Sequence, residues 1–283
     1  MVRCSLRLFQ KASKTTQNQK WISSLLPVCK TPDQAKQELR WIQMELPQDK
    51  WDQAIQERSK FIPLQYILGS QPFGSLDIKC RPQVLIPRWE TEEWTLKIIN
   101  KLRGISSLKI LDVCTGTGCI PLLMGHSLPH LQIKAMDISS DALELSNENK
   151  KIHGITNVEF KYGNVFDKGL LEGEEFDLIT SNPPYISELD YLNGETEESV
   201  LQNEPKLALV GGLEFYDALV NNVVLPSKAT GFFFELGDLE QALYTQSLLN
   251  KDWCTKIYKD GADKIRCVYG WKKGSKMQVL EFI

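Results

Sequence analysis

Between residues 109 and 236 the chain alternates short apolar runs with stretches of helical period, and few folds accept that pattern. Residues 109–113, 133–137, 158–161, 176–180 and 231–236 read as strands; residues 120–127, 141–153 and 213–225 read as the helices between them. Strands spaced by helix-length segments imply βαβ units, hence a parallel sheet covered on both faces. After a further helix at 239–249, residues 254–258 and 265–269 predict a closing antiparallel pair. The expected fold is α/β, with a seven-stranded, mostly parallel sheet. A helix over 90–102, with Glu90, Glu92 and Glu93 in its first turn, leads into it.

Upstream of the sheet, residues 21–66 carry helical period. Thr31-Pro32-Asp33 is a cap followed by proline in the first turn, and Ala35, Leu39, Ile42 and Leu46 recur at spacings of three or four. Trp51, Ala54 and Ile55 begin another helix. These segments predict a small helical domain over 21–70. Leu76-Asp77-Ile78-Lys79-Cys80 and Gln83-Val84-Leu85-Ile86, separated by Arg81-Pro82, predict a β-hairpin linker within 71–87, leaving 88–283 for the sheet domain. The first 32 residues hold Arg3, Arg7, Lys11, Lys14, Lys20 and Lys30, interleaved hydroxyls and no acid. That composition predicts a mitochondrial presequence over 1–20 and a location in the matrix.

Composition narrows the function classes. The net charge of −3 argues against a broad nucleic-acid-binding face, and no apolar run approaches the ~18 residues of a membrane span. Seven cysteines without a C-x-x-C pair and three scattered histidines predict no metal site and no disulfide framework. Trp41, Trp51 and Trp94 read as packing residues. Glu195, Glu197 and Glu198 read as a solvated acidic loop that could also meet a basic partner.

Two junctions carry chemistry. The first strand ends in Asp112-Val113-Cys114-Thr115-Gly116-Thr117-Gly118, a glycine turn that lets backbone approach a ligand and aims helix N-terminal N–H groups at it. The second ends in Asp137, placed to accept hydrogen bonds from two ribose hydroxyls. Together they predict a nucleoside-containing cofactor. Pro121 stands where a dinucleotide fingerprint has its third glycine, so the nicotinamide motif is incomplete. The fourth strand runs into Asn182-Pro183-Pro184-Tyr185. The prolines remove two backbone donors and leave the Asn182 amide oxygen and the Pro183 carbonyl as rigid acceptors beside a flat ring. That set suits a planar –NH₂ group held by both hydrogens.

These residues resemble a class I S-adenosylmethionine-dependent methyltransferase with a Rossmann-like fold. Within that class the chain resembles the release factor glutamine methyltransferases over roughly residues 30–275. The resemblance rests on Pro63-Leu-Gln-Tyr-Ile-Leu-Gly69, Val84-Leu-Ile-Pro-Arg88 with Glu90-Thr-Glu92, Ser181-Asn-Pro-Pro-Tyr-Ile186, and Asn203-Glu-Pro-Lys-Leu-Ala-Leu209 with Gly211-Gly212. It implies methylation of the amide of the glutamine in a release factor's Gly-Gly-Gln loop, by a monomer without membrane or direct nucleic-acid contact. The carried-over roles place Asp112 and the loop Cys114, Thr115, Gly116, Thr117 and Gly118 around the cofactor. Asp137 would hold its ribose, and Asn164 and Val165 would flank its adenine. Asn182, which also borders the cofactor, and the Pro183 carbonyl would grip the glutamine –NH₂. Pro184 and Tyr185 would complete the substrate wall, with Tyr185 against the amide plane. Cys114 replaces the family's usual glycine, and Trp89 a usual proline. The alternatives are an N6-adenine-type DNA or RNA amino-methyltransferase sharing the same clamp, and a non-catalytic binding protein.

Overall fold

The computed structural model describes the backbone of residues 2–193 and 197–283, and side chains from residue 16 onward. The chain divides into two compact units, residues 1–69 with 197–203, and residues 70–196 with 204–283.

The first unit is helical: α1 (Val2–Cys29), α2 (Pro32–Glu45), α3 (Trp51–Ser59) and α4 (Leu64–Leu68). Thr31 caps α2, accepting from Gln34 N at 3.3 Å, with Pro32 in the first turn. Ala35, Leu39 and Ile42 form the buried stripe of α2 and meet Leu25, Ala54, Ile55 and Leu64 in a small core. Trp41 departs from the packing role expected of it: it is 42 % exposed, because its position falls 100–200° around the helix from Leu39 and Ile42. The presequence expected over 1–20 lies mostly on side chains outside the described set, as does Glu195 of the acidic loop.

The second unit begins with a two-stranded hairpin, β1 (Ser70–Phe73) and β2 (Leu76–Lys79), paired with Phe73 opposite Leu76. It sits one segment earlier than the sequence predicted. Gly74 decides this, since it turns with φ +61° and a Cβ there would lie 2.6 Å from Leu123 Cδ1. Residues 83–86, expected as a strand, run as irregular chain past the sheet.

Then follow α5 (Trp89–Leu102), β3 (Lys109–Val113), α6 (Cys119–Ser127), β4 (Gln132–Asp137), α7 (Ser140–Ile152), β5 (Val158–Tyr162) and β6 (Leu178–Ser181). Three short helices come next: α8 (Glu188–Leu192), α9 (Glu198–Asn203, part of the first unit) and α10 (Lys206–Leu209). α11 (Leu213–Ala218) widens into a π-helical turn at Leu219–Val224, where the sequence predicted one continuous helix. β7 (Gly231–Glu235), α12 (Leu239–Ser247), β8 (Trp253–Lys259) and β9 (Ile265–Lys272) follow, and after β9 a 3-10 helix at Lys276–Phe282 buries Met277 and Leu280.

The seven-stranded sheet has the order β5-β4-β3-β6-β7-β9-β8, with β5 through β7 parallel and β9 antiparallel to both its neighbours. Alternate strand residues feed opposite faces. Ile110, Leu178 and Phe233 pack with Trp94, Ile98 and Leu122 of α5 and α6, whereas Leu111, Ile179, Phe232 and Phe234 pack with Tyr216 and Val220 on the other side. Strand order reverses between β3 and β6, so a crevice must open outside their carboxyl ends.

Candidate active site at the switch point

The pairing of β3 with β6 brings the two motifs together. Val113 lies beside Ser181 in parallel register, and Ser181 Oγ donates to Val113 O at 2.7 Å. The loop leaving β3 and the Asn-Pro-Pro-Tyr segment leaving β6 therefore emerge side by side. One step back, Thr180 Oγ1 donates to Asp112 Oδ1 at 2.7 Å. Asp112 is fully buried, and burial, reinforced by the nearby Asp137 carboxylate, pushes its carboxyl up to about 7.

A cavity of about 180 Å³ opens at this point. Its wall brings together Cys114, Thr115, Gly116, Thr117, Asp137, Asn164, Val165, Asn182 and Pro184 of the predicted set. Asp112, at the end of β3, and Gly118, the last residue of the loop, are off the wall; Pro183 is buried and Tyr185 half-buried, also off it. Gly118 caps α6 with φ +79°, and a Cβ there would come within 2.8 Å of Phe160. Cys114, standing where the family has glycine, adopts the left-handed conformation with φ +59°. Strain of roughly 1–2 kcal/mol is held there by the packed surroundings. Burial also drives its thiol pKa up, so the sulfur stays a neutral thiol.

Asp137 is oriented by the main chain: Gly116 N donates to Oδ2 and Ser139 N to Oδ1, both at 2.9 Å. Burial raises its carboxyl above the usual range while those two N–H groups pull it back. Asn164 accepts from Phe166 N at 3.1 Å, turning the chain back along the cavity floor, where Phe166 meets Phe215 edge-on.

The opposite wall is formed by residues 83–88 and by Pro205, Leu207 and Ala208. Glu204 ties these together. It is nearly buried, accepting from Ile86 N at 3.0 Å and from Arg88 Nη2 at 2.6 Å. Gly211 is needed beside the clamp, because a Cβ there would lie 2.4 Å from Pro184 O.

Asn182 Nδ2 donates to Thr91 Oγ1 at 3.2 Å. Thr91 Oγ1 in turn donates to Glu235 Oε2 at 2.7 Å, and Tyr185 OH donates to Glu235 Oε1 at 3.3 Å. Burial forces the Tyr185 hydroxyl pKa far upward, so the ring stays neutral. Glu235 and Phe215 were not singled out from the sequence, and Thr91 entered only within the Glu90-Thr-Glu92 segment, without a role. A signal for Glu235 was present: an acid ending the apolar run Gly231-Phe232-Phe233-Phe234, at the same sheet edge as Asn182.

The donor set fits S-adenosylmethionine. Thr115 Oγ1 is a buried polar atom on the cavity wall that makes no well-formed hydrogen bond among the described residues, though it stands near enough to the Asp112 carboxyl to lower its pKa. Gly116, at φ +56°, has open space where a Cβ would stand, so main chain can approach a ligand there.

Fold and site together define an S-adenosylmethionine-dependent methyltransferase. A Methyltransferase small domain model matches residues 94–243. The chain is 41 % identical over its whole length, and 93 % of the relative's, to the mitochondrial MRF1 N(5)-glutamine methyltransferase MTQ1 of Saccharomyces cerevisiae. It is 37 % identical to the probable Schizosaccharomyces pombe counterpart, over 89 % of this chain and 94 % of the relative. It is 35 % identical to the release factor glutamine methyltransferase of Thermodesulfovibrio yellowstonii, over 75 % and 77 %. Among solved structures, the hMettl16 catalytic domain superposes with a TM-score of 0.58 at 16 % identity, covering 78 % of this chain and 82 % of that one, a likeness of fold. The chain belongs to the release factor glutamine methyltransferase family, and its cofactor is S-adenosylmethionine.

Proposed function

We propose that the enzyme methylates the side-chain amide nitrogen, N5, of the glutamine in the Gly-Gly-Gln motif of a mitochondrial peptide chain release factor, in the matrix, and so supports translation termination. The observation that carries this reading is the pose of Asn182. Its Nδ2 is spent on Thr91, which leaves Oδ1 as an acceptor at a cavity that Thr115, Gly116 and Asp137 also line.

An amide nitrogen is a weak nucleophile because its lone pair is delocalised into the carbonyl. S-adenosylmethionine, when bound, supplies an electrophilic methyl on a sulfonium. Cys114 through Thr117 and Asp137 would hold the methionine and ribose parts, with Asn164 and Val165 beside the adenine. Asn182 Oδ1 and the Pro183 carbonyl would accept the two amide hydrogens, leaving electron density on nitrogen and aiming it. Holding reactants in line can lower a barrier by about 7–11 kcal/mol in favourable cases. The same acceptors stabilise positive charge that grows on nitrogen only in the transition state. No titrating base is required beforehand: as the methyl leaves sulfur, the methylated nitrogen becomes strongly acidic and its surplus proton can pass to water. Asp137, the one carboxylate on the cavity wall among the described residues, has both oxygens engaged by main-chain N–H groups.

The test is incubation with labelled S-adenosylmethionine and a purified Gly-Gly-Gln-containing release factor, followed by mass mapping. One methyl on that glutamine is expected. Label entering nucleic acid, with the release factor unmodified, would overturn the reading.

A further inference from the structure

Glu235 ends β7 at the carboxyl edge of the sheet and is 2 % exposed. Its carboxylate receives three neutral donors: Thr91 Oγ1 and Trp94 Nε1 on Oε2, each at 2.7 Å, and Tyr185 OH on Oε1 at 3.3 Å. Taking a carboxylate out of water is costly, and an apolar side chain would fill such a space more cheaply. A feature that opposes stability at the edge of the clamp calls for a reason.

Counting protons supplies one. A threonine hydroxyl has a single hydrogen. Thr91 spends it on Glu235, so toward Asn182 it can only accept. The Asn182 amide must then present Nδ2 to Thr91, as it does at 3.2 Å, and its oxygen is turned away from Thr91. The indole of Trp94 can only donate, so Oε2 accepts from it, and as an ionised carboxylate it accepts from Thr91 as well. With Glu235 removed, the Thr91 hydroxyl would be free to donate to Asn182 Oδ1. The amide could then flip and offer –NH₂ to a substrate –NH₂, hydrogen against hydrogen.

We propose that Glu235 is a positioning residue which, through Thr91, holds the Asn182 amide with its oxygen toward the substrate, and through Tyr185 OH holds the neighbouring ring. The chain around it is braced to match. Gln241 Nε2 donates to Tyr185 O at 2.9 Å, and Tyr216 OH donates to Glu235 O at 3.1 Å. The inference rests on the reading that Asn182 grips the substrate amide, and the experiment separates the two.

The full chain carrying Thr91→Val, Thr91→Ser, Glu235→Leu, Glu235→Gln or Asn182→Ala is assayed with a Gly-Gly-Gln-containing release factor. S-adenosylhomocysteine binding is measured calorimetrically alongside. Thr91→Val preserves shape but removes the relay; its kcat should fall roughly 10- to 100-fold, with KM and S-adenosylhomocysteine affinity within about twofold of wild type. Thr91→Ser restores the hydroxyl and should recover most of the turnover. Glu235→Gln keeps an acceptor oxygen for Thr91 and Trp94 and should remain well above Glu235→Leu. A purely structural role predicts instead that loss follows thermal stability and that binding weakens with it. If Thr91→Val turns over within about twofold of wild type while Asn182→Ala is inactive, the clamp stands and the relay is wrong. If Asn182→Ala also retains turnover, the clamp reading falls and the relay with it. Should Glu235→Leu fail to fold, the Thr91 pair alone decides the question.

Discussion

Asp112 and Asn182 show how differently single residues serve this site. Asp112 never reaches the cavity wall; it stiffens the loop from below through Thr180 and the parallel strand. Its carboxyl, raised by burial to about 7, ionises in the unfolded chain near the ordinary value of about 3.9. Between those values the unfolded state binds fewer protons than the native one, so rising pH costs stability across that window and nothing further above it. Asp112→Asn should remove the part of the slope that this carboxyl contributes. Urea midpoints taken from pH 4.5 to 8 should show the variant gaining on the wild type up to about pH 7 and then holding a constant difference. Asn182 acts at the surface of the cavity instead. Asn182→Ala should bind S-adenosylhomocysteine within about threefold of wild type yet lose turnover by at least about 100-fold, because the lost acceptor matters most as charge develops. Unchanged turnover would remove the clamp.

At the scale of elements, the site is a set of strand ends braced by short segments. The four residues after β6 hold their course because Gln241 of α12 takes the Tyr185 carbonyl and because Ile186 N donates to Leu209 O at 2.9 Å and Gly211 N to Ile186 O at 3.0 Å. That crossing runs so close that Gly211 cannot carry a side chain. Gly211→Ala must displace the Pro184 carbonyl; it should cost about 1–3 kcal/mol of stability and reduce turnover more than cofactor affinity. Equal losses in binding and turnover would mean the displacement spreads into the cofactor wall. The strand and helix positions around the sheet were legible because burial on both faces imposes apolar runs, and α2 because Thr31-Pro32 marks its start. The hairpin was misplaced for a local reason. Arg81-Pro82 looks like a turn by composition, but Gly74 and Ser75 make it, through a left-handed φ and a close approach to Leu123. The π-helical widening at 219–224 left no mark in residue type that periodicity could read.

At the scale of the molecule, the second unit carries the whole of the cavity described above, and ligand binding there is linked to its unfolding. A ligand that binds only the folded state stabilises it by about 2.7 kcal/mol at one hundred times its Kd. For a unit of this size that corresponds to a rise in Tm of roughly 5–10 °C. S-adenosylhomocysteine should produce such a rise in the full chain and in Asn182→Ala alike, measured by scanning calorimetry. A wild-type Tm unmoved by saturating ligand would contradict the assignment of this cavity to the cofactor.

The sequence by itself determined the α/β class, the strand sequence and the identity of the two chemical loops, because periodicity and proline or glycine chemistry are local properties. It also showed Cys114 standing where the family has glycine, but the close approach of Pro184 O that Gly211 answers came only from the structure. Only the tertiary structure decided which strands lie side by side. The reversal of order between β3 and β6 puts Val113 against Ser181 and so joins a cofactor loop to an acceptor turn 68 residues away. It also brings Glu235 and Thr91, 144 residues apart, into one hydrogen-bonded chain ending at Asn182. Hydrogen-bond direction depends on which donors surround an oxygen in space, and residue type at one position does not carry that information.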